Sequence, residues 1–239
     1  MEGDYLGTDN GGRGPRAMPF YLICDVSQSM RNEIGALHDE IAQICQEIGG
    51  RPDIDDVAHI CVMTFADTAN VLVELTQMSK AVVPGFSFAR LTHYGKAFRM
   101  LATVIANDYE TLSFLGYRVY RPCVYFLTAG EPTDLDWRTT FKETLTEGPM
   151  SAAGVPRGYP IFVPFGFRDA NEETLRQLAF PPGHSKWYHA QNTTFAEAIR
   201  GMFGIIMRSM LNSSSSMVTG APAHSLPDPG DPWISSGFV

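Results

Sequence analysis

Phe20-Tyr21-Leu22-Ile23-Cys24-Asp25-Val26-Ser27-Gln28-Ser29-Met30 is an apolar run that stops on one carboxylate and two hydroxyls at alternate positions. A short run that is apolar on both faces reads as a strand buried within a parallel sheet. Such sheets bind ligands in the crevice beyond the carboxyl ends of their strands, so Asp25, Ser27 and Ser29 are the first candidates for function.

The elements on either side support that reading. Ile34, Leu37, Ile41, Ile44 and Ile48 follow at spacings of three and four, with Glu33, Asp39, Glu40, Gln43 and Glu47 on the opposite face. This is a helix with one side on a sheet and one in water. Ser29 is its expected N-cap, and Gly49-Gly50 with Pro52 its stop. Residues 57–65 and 70–75 read as two strands joined by Ala66-Asp67-Thr68-Ala69, a hairpin that supplies one antiparallel edge strand. Thr92-His93-Tyr94-Gly95 opens a second helix, running from Lys96 to about Leu112, and Thr92 taken alone is a cap. Residues 122–128 form another buried strand, broken by Ala129-Gly130-Glu131-Pro132-Thr133-Asp134 before a helix over 135–145 that Thr133 or Asp134 caps. A surface loop over 148–160, a strand over 161–167, a short helix over 171–179 capped by Asp169 or Asn171, a strand at 186–189 and a helix over 194–211 complete the pattern. Strands alternating with helices specify an α/β fold: a doubly wound, mostly parallel sheet with one antiparallel edge strand and helices on both faces.

Composition bounds the rest. With 239 residues, 44% hydrophobic and 18% charged, the chain can bury one full core. Residues 1–17, rich in glycine, are expected as a flexible leader, 18–212 as one domain, and 213–239 as a disordered tail rich in serine, proline and glycine. The tail ends in the more apolar Trp233-Ile234-Ser235-Ser236-Gly237-Phe238-Val239, either a docking peptide or a flexible end. A net charge of −8 and a pI near 5.2 lack the basic footprint that nucleic acid or an anionic membrane requires. The longest apolar runs are strand-sized, and nothing reads as a signal peptide or membrane span. Cys24, Cys45, Cys61 and Cys123 sit inside apolar patterns without a C-x-x-C pair and read as buried hydrophobes of a reducing compartment, which predicts a cytoplasmic location. His59, with no second ligand at metal spacing, reads as structural.

Asp25-x-Ser27-x-Ser29 offers hard oxygens, suited to Mg²⁺ or Mn²⁺ and not to zinc. A spacing of two in an extended segment points the three side chains the same way. One carboxylate with hydroxyls cannot fill an octahedral shell, so water or an outside carboxylate must complete it. Such a site suits the capture of a partner's acidic side chain. The alternative, a turn and helix cap, leaves a carboxylate at the end of a buried run without a reason. An enzyme would need a nucleophile or phosphate cradle, and there is no Gly-x-x-x-x-Gly-Lys, Gly-x-Ser-x-Gly or strand-end Asp-x-Asp. Asp25 could mimic a phosphoacceptor, but a phosphotransferase wants a second acid and a nearby lysine. The expectation is a binding module and not an enzyme.

Three segments in order carry a resemblance. Asp25-Val26-Ser27-Gln28-Ser29 after a hydrophobic strand, Thr92 before the second helix, and Phe126-Leu127-Thr128-Ala129-Gly130-Glu131-Pro132-Thr133-Asp134 resemble the three parts of a von Willebrand factor A domain. The wording of the last segment is similar to the bacterial TerY-like branch, associated with tellurite-resistance and stress-response gene clusters. The resemblance implies a metal-ion-dependent adhesion site in which Asp25, Ser27, Ser29 and Thr92 hold one divalent ion, Mg²⁺ or Mn²⁺, that bridges to an acidic group of a protein partner. By analogy it implies a PP2C-type phosphatase and a Ser/Thr-type kinase as partners. One departure is plain: where the family reads Leu-Thr-Asp-Gly, the aspartate position is Ala129. Glu131, with Asp134, is the possible auxiliary carboxylate; alternatively the site is degenerate and the fold serves as a scaffold through its loops and tail.

Overall fold

β1 (Arg16–Asp25) is buried along all but its first residue, because neighbouring strands flank it and helices cover both its faces. The protein is described by a computed structural model over residues 14–147, 160–219 and 224–239. Most of the expected leader, and nearly all of the 148–160 loop, lie outside these residues. β1 starts earlier than the apolar run alone predicts because Arg16 and Ala17 pair with a two-residue strand, β4 (Arg118–Val119).

The remaining strands are β2 (Ala58–Phe65), β3 (Ala69–Gln77), β5 (Cys123–Thr128), β6 (Ile161–Phe167), β7 (Lys186–Ala190) and β8 (Ile234–Phe238). Their order across the sheet is β3-β2-β1-β5-β6-β7-β8, with β4 beside β1. β2, β1, β5, β6 and β7 run parallel, and β3 and β8 are antiparallel edges. Alternate residues of β1 serve the two layers. Phe20, Leu22 and Cys24 pack with α1 (Ile34–Gly49) and α6 (Phe195–Val218), while Tyr21 and Ile23 pack with α3 (Tyr94–Phe114) and α4 (Trp137–Phe141). Two short helices, α2 (Pro52–Asp55) and α5 (Glu172–Leu178), complete the set among the described residues. α5 begins as its sequence predicts, with Asn171 Oδ1 accepting the backbone N–H groups of Glu173 and Thr174. All four cysteines are buried free thiols.

Two expectations need correction. α6 runs seven residues past Leu211, and its serines are not tail. Ser213 and Ser214 are fully buried, and Ser213 Oγ accepts the backbone N–H of Ser225 at 2.9 Å. Tertiary burial here overrides the low helix propensity of serine. The end of the chain then returns to the sheet. β8 adds to the free edge of β7, Tyr188 donates its hydroxyl proton to the Pro227 carbonyl at 2.7 Å, and Lys186 Nζ lies 2.5 Å from Asp228. The sheet therefore has two antiparallel edges instead of one, and a segment with tail-like composition is ordered by backbone pairing. Among the described residues no helix is long and apolar enough to cross a membrane.

Candidate functional site

Asp25 ends β1 and is completely buried. Its Oδ1 accepts the Ser27 backbone N–H at 2.8 Å, and its Oδ2 accepts the Thr128 hydroxyl at 3.0 Å and the Ala129 N–H at 3.3 Å. All three donors are neutral, and among the described residues no ion pair reaches this carboxylate. Burial raises its pKa above the ordinary carboxylate range, against the opposing pull of the hydrogen bonds from Ser27, Thr128 and Ala129.

The hydroxyl oxygens of Ser27 and Ser29 lie 2.9 Å apart, the first buried and the second exposed. Ser29 is not the cap of α1. It sits in a one-turn 3₁₀ segment, Gln28–Met30, and α1 starts only at Ile34 behind Glu33, with no side-chain cap. The local backbone therefore does not use the Ser29 hydroxyl.

The same holds for Thr92. α3 starts at Tyr94, and its first N–H groups are taken by Asp134, from Tyr94 to Oδ1 at 3.0 Å and from Gly95 to Oδ2 at 2.7 Å. A Cβ on residue 95 would lie 2.8 Å from Oδ2, so the close approach of this carboxylate requires glycine. Thr92 is buried, donates its N–H to Thr133 Oγ1 at 3.2 Å and accepts the Thr133 N–H at 2.9 Å, and its hydroxyl makes no hydrogen bond to Asp25, Ser27 or Ser29. These bonds hold its loop against the loop after β5, at the same end of the sheet as Asp25.

The two auxiliary carboxylates are engaged elsewhere. Asp134 caps α3, contrary to its expected place on the following helix, and Glu131 accepts the Thr174 hydroxyl at 3.3 Å. Ala129, 1% exposed, contributes only its N–H to Asp25.

Three contributors were not singled out from sequence. Tyr94, fully buried, has its hydroxyl 2.9 Å from Thr128 Oγ1 and equally far from the Gly130 carbonyl, so it orients the threonine that donates to Asp25. Thr128 ends β5 as Asp25 ends β1, which is the signal that could have found it. Arg168, just past β6, donates from Nη1 to the Ser29 carbonyl at 3.1 Å and from Nη2 to Glu33 at 2.9 Å, with its guanidinium 4.4 Å over the Phe195 ring. Its φ of 47° is in the left-handed region, uncommon for a residue with a side chain, and nothing local in the sequence announces it.

No protein-family model matches this chain, and no curated protein matches it in sequence. Solved structures do. The ArnB paralog VWA2 from Sulfolobus acidocaldarius aligns with a TM-score of 0.56 at 16% identity, over 82% of this chain and 46% of that one. The fold is that of a von Willebrand factor A domain. The pilus adhesin SpaC from Lactobacillus rhamnosus GG gives 0.58 at 12% identity, over 82% and 31%. A D319A mutant of the PilB minor pilin from Streptococcus sanguinis gives 0.54 at 9%, over 89% and 65%. This chain thus spans less than half the length of the first two, and the likeness is one of fold.

An A-domain fold raises the question of a divalent cation at Asp25. Among the described residues no three His, Cys, Asp or Glu side chains cluster, and beside Asp25 the neighbouring side-chain oxygens are the hydroxyls of Ser27, Ser29 and Thr128. That donor set fits a hard, small cation: a buried carboxylate whose charge only neutral groups meet, beside two hydroxyl oxygens that no helix cap consumes. Its charge compensation is weaker than two carboxylates would give, and Ala129 adds only its N–H.

Proposed function

We infer that this chain is a protein-interaction module that engages its partner at the carboxyl end of the sheet. Asp25, Ser27, Ser29 and Thr92 would hold Mg²⁺ or Mn²⁺, and the partner supplies an acidic side chain. The observation that carries this reading is the buried Asp25 carboxylate, which has no cationic partner among the described residues although burial disfavours its charge. When bound, the ion supplies positive charge to Asp25 on one side and to the partner's carboxylate on the other. The chain's own residues do the positioning. Thr128 and the N–H groups of Ser27 and Ala129 fix the carboxylate, Tyr94 fixes Thr128, and Arg168 holds the Ser29 backbone.

Ala129 favours a second form of the same reading, in which affinity for the ion is low until a partner carboxylate completes the charge. Losing even an outer carboxylate typically lowers metal affinity 10–100-fold. From the sequence resemblance, the partners proposed are a PP2C-type phosphatase and a Ser/Thr-type kinase, in a bacterial signalling or stress-response system of the TerY kind, in the cytoplasm. Free Mn²⁺ followed by electron paramagnetic resonance tests the site. Binding should disappear in Asp25→Ala and weaken in Ser29→Ala; equal binding by all three proteins would refute the assignment.

A further inference from the structure

We propose that a small-molecule site lies at the end of the sheet away from Asp25, in a cavity of about 190 Å³ between α3 and the β2–β3 hairpin, and that it takes a primary ammonium compound with a short apolar body. The proposal is independent of the cation reading. In the β1–β2 register Asp25 faces Phe65 and Pro19 faces His59, which lines the cavity, so six strand residues, about 20 Å, separate the two sites.

The cavity holds two acceptors that the fold leaves open. His59 is 5% exposed, and its Nδ1 lies 3.1 Å from the Val57 carbonyl, which can only accept. Nδ1 therefore carries the proton, burial keeps the ring neutral by lowering its pKa, and Nε2 is left as an acceptor with no hydrogen bond among the described residues. Asp108 is the second. Its Oδ2 accepts the Tyr21 hydroxyl at 2.9 Å, while its Oδ1 has no hydrogen bond and the carboxylate no ion pair among the described residues. Tyr21 needs only an acceptor, which asparagine would supply without burying a charge. A carboxylate that the fold does not need, and that burial makes costly to ionise, marks a ligand contact.

The rest of the lining narrows the class. Leu75, Leu112, Leu115 and Tyr117 supply an apolar wall, and the Tyr117 ring stands edge-on to His59 with 5.7 Å between centroids. Glu74 adds negative charge near Asp108, and Asp55 near His59, so the surroundings favour a cation. An ammonium, with three donors and a full charge, satisfies Asp108 Oδ1 and His59 Nε2 together. Lys80 also lines the cavity, forms no ion pair among the described residues, and would meet a carboxylate carried by the same ligand. The volume, below the roughly 300–1,000 Å³ of a drug-sized pocket, restricts the ligand to a small molecule.

Three probes with one apolar body separate the chemistry: isoamylamine, leucine, which adds a carboxylate, and isocaproate, which lacks the amine. Chemical-shift titration of the isotopically labelled full chain should show saturable shifts at residues lining the cavity with isoamylamine, leucine or both, and none with isocaproate. Asp108→Asn, which removes a buried charge and should melt no lower than the parent, is expected to weaken that binding at least about tenfold. Leucine binding tighter than isoamylamine, with the margin erased in Lys80→Gln, assigns free amino acids; isoamylamine binding as tightly as leucine assigns simple amines. No shifts with either, isocaproate binding as tightly as isoamylamine, or Asp108→Asn binding like the parent would overturn the site.

Discussion

Asp134 takes the capping role that local sequence assigns to Thr92. The sequence puts Thr92 at the expected start of the second helix, where a threonine ordinarily caps, yet α3 starts at Tyr94 with His93 at the cap position and its first N–H groups are satisfied by a carboxylate from the loop after β5. Asp134→Ala should therefore lower the unfolding free energy by about 1–2 kcal/mol, the usual cost of a lost cap, and Thr92→Ala, whose side chain caps nothing, by less. Urea denaturation of the two variants checks this. Gly95→Ala should also destabilise, since its Cβ enters the space of Asp134 Oδ2. Asp108 provides a pH test on another part of α3. It accepts the Tyr21 hydroxyl at 2.9 Å, and burial raises its pKa to about 6, with Glu74 adding to the rise. A raised acid pKa means that the folded chain holds the proton more tightly than the unfolded chain. Its destabilising effect is absent below the ordinary carboxylate pKa, grows as pH climbs, and is complete above about 6. Asp108→Asn should accordingly raise the melting temperature above pH 6 and converge with the parent near pH 4.

β8 marks where element-level reading from sequence stops. The parallel strands and long helices were legible because apolar periodicity decides them, α5 starts at Asn171, one of its two expected caps, and α6 starts behind Thr194, where its helix is expected to begin. The end of α6 and the return of the chain were not. Ser213–Ser216 read as tail because serine favours caps and turns, and their helix is held by burial and by the Ser225 N–H donating to the Ser213 hydroxyl. Ile234-Ser235-Ser236-Gly237-Phe238 reads as neither strand nor helix. It pairs because β7 offers an open edge, and Gly237 allows close contact with Trp187, whose Nε1 would lie 3.0 Å from an added Cβ. Removing residues 224–239 exposes the β7 edge and loses the apolar burial of Ile234, so the melting temperature should fall by several degrees and the chain should self-associate more. Differential scanning calorimetry with light scattering reads both; a true flexible tail would leave both unchanged.

At the scale of the molecule, most of the candidate site is built from residues distant in sequence that only the sheet order brings together. Adjacent β1 and β5 align Asp25 with Thr128 and Ala129, and the bonds between residues 92 and 133 draw in the second loop. The residues alone point to Asp25, Ser27 and Ser29 as oxygen donors at a strand end, and the family resemblance adds Thr92. Sequence could not find the Tyr94–Thr128–Asp25 chain or the Arg168 brace, since both depend on packing across layers. Nor could it show that Glu131 and Asp134 are already occupied and so do not replace the carboxylate missing at position 129. The cation cradle proposed at this end of the domain is short of one carboxylate. Calorimetric titration of Mg²⁺ and Mn²⁺ into the parent chain and into Ala129→Asp probes that shortfall. Weak binding by the parent and roughly 10–100-fold tighter binding by the variant, abolished when Asp25→Ala is added, is the expected outcome. No binding by Ala129→Asp, with its fold intact by circular dichroism, would refute the proposed cradle.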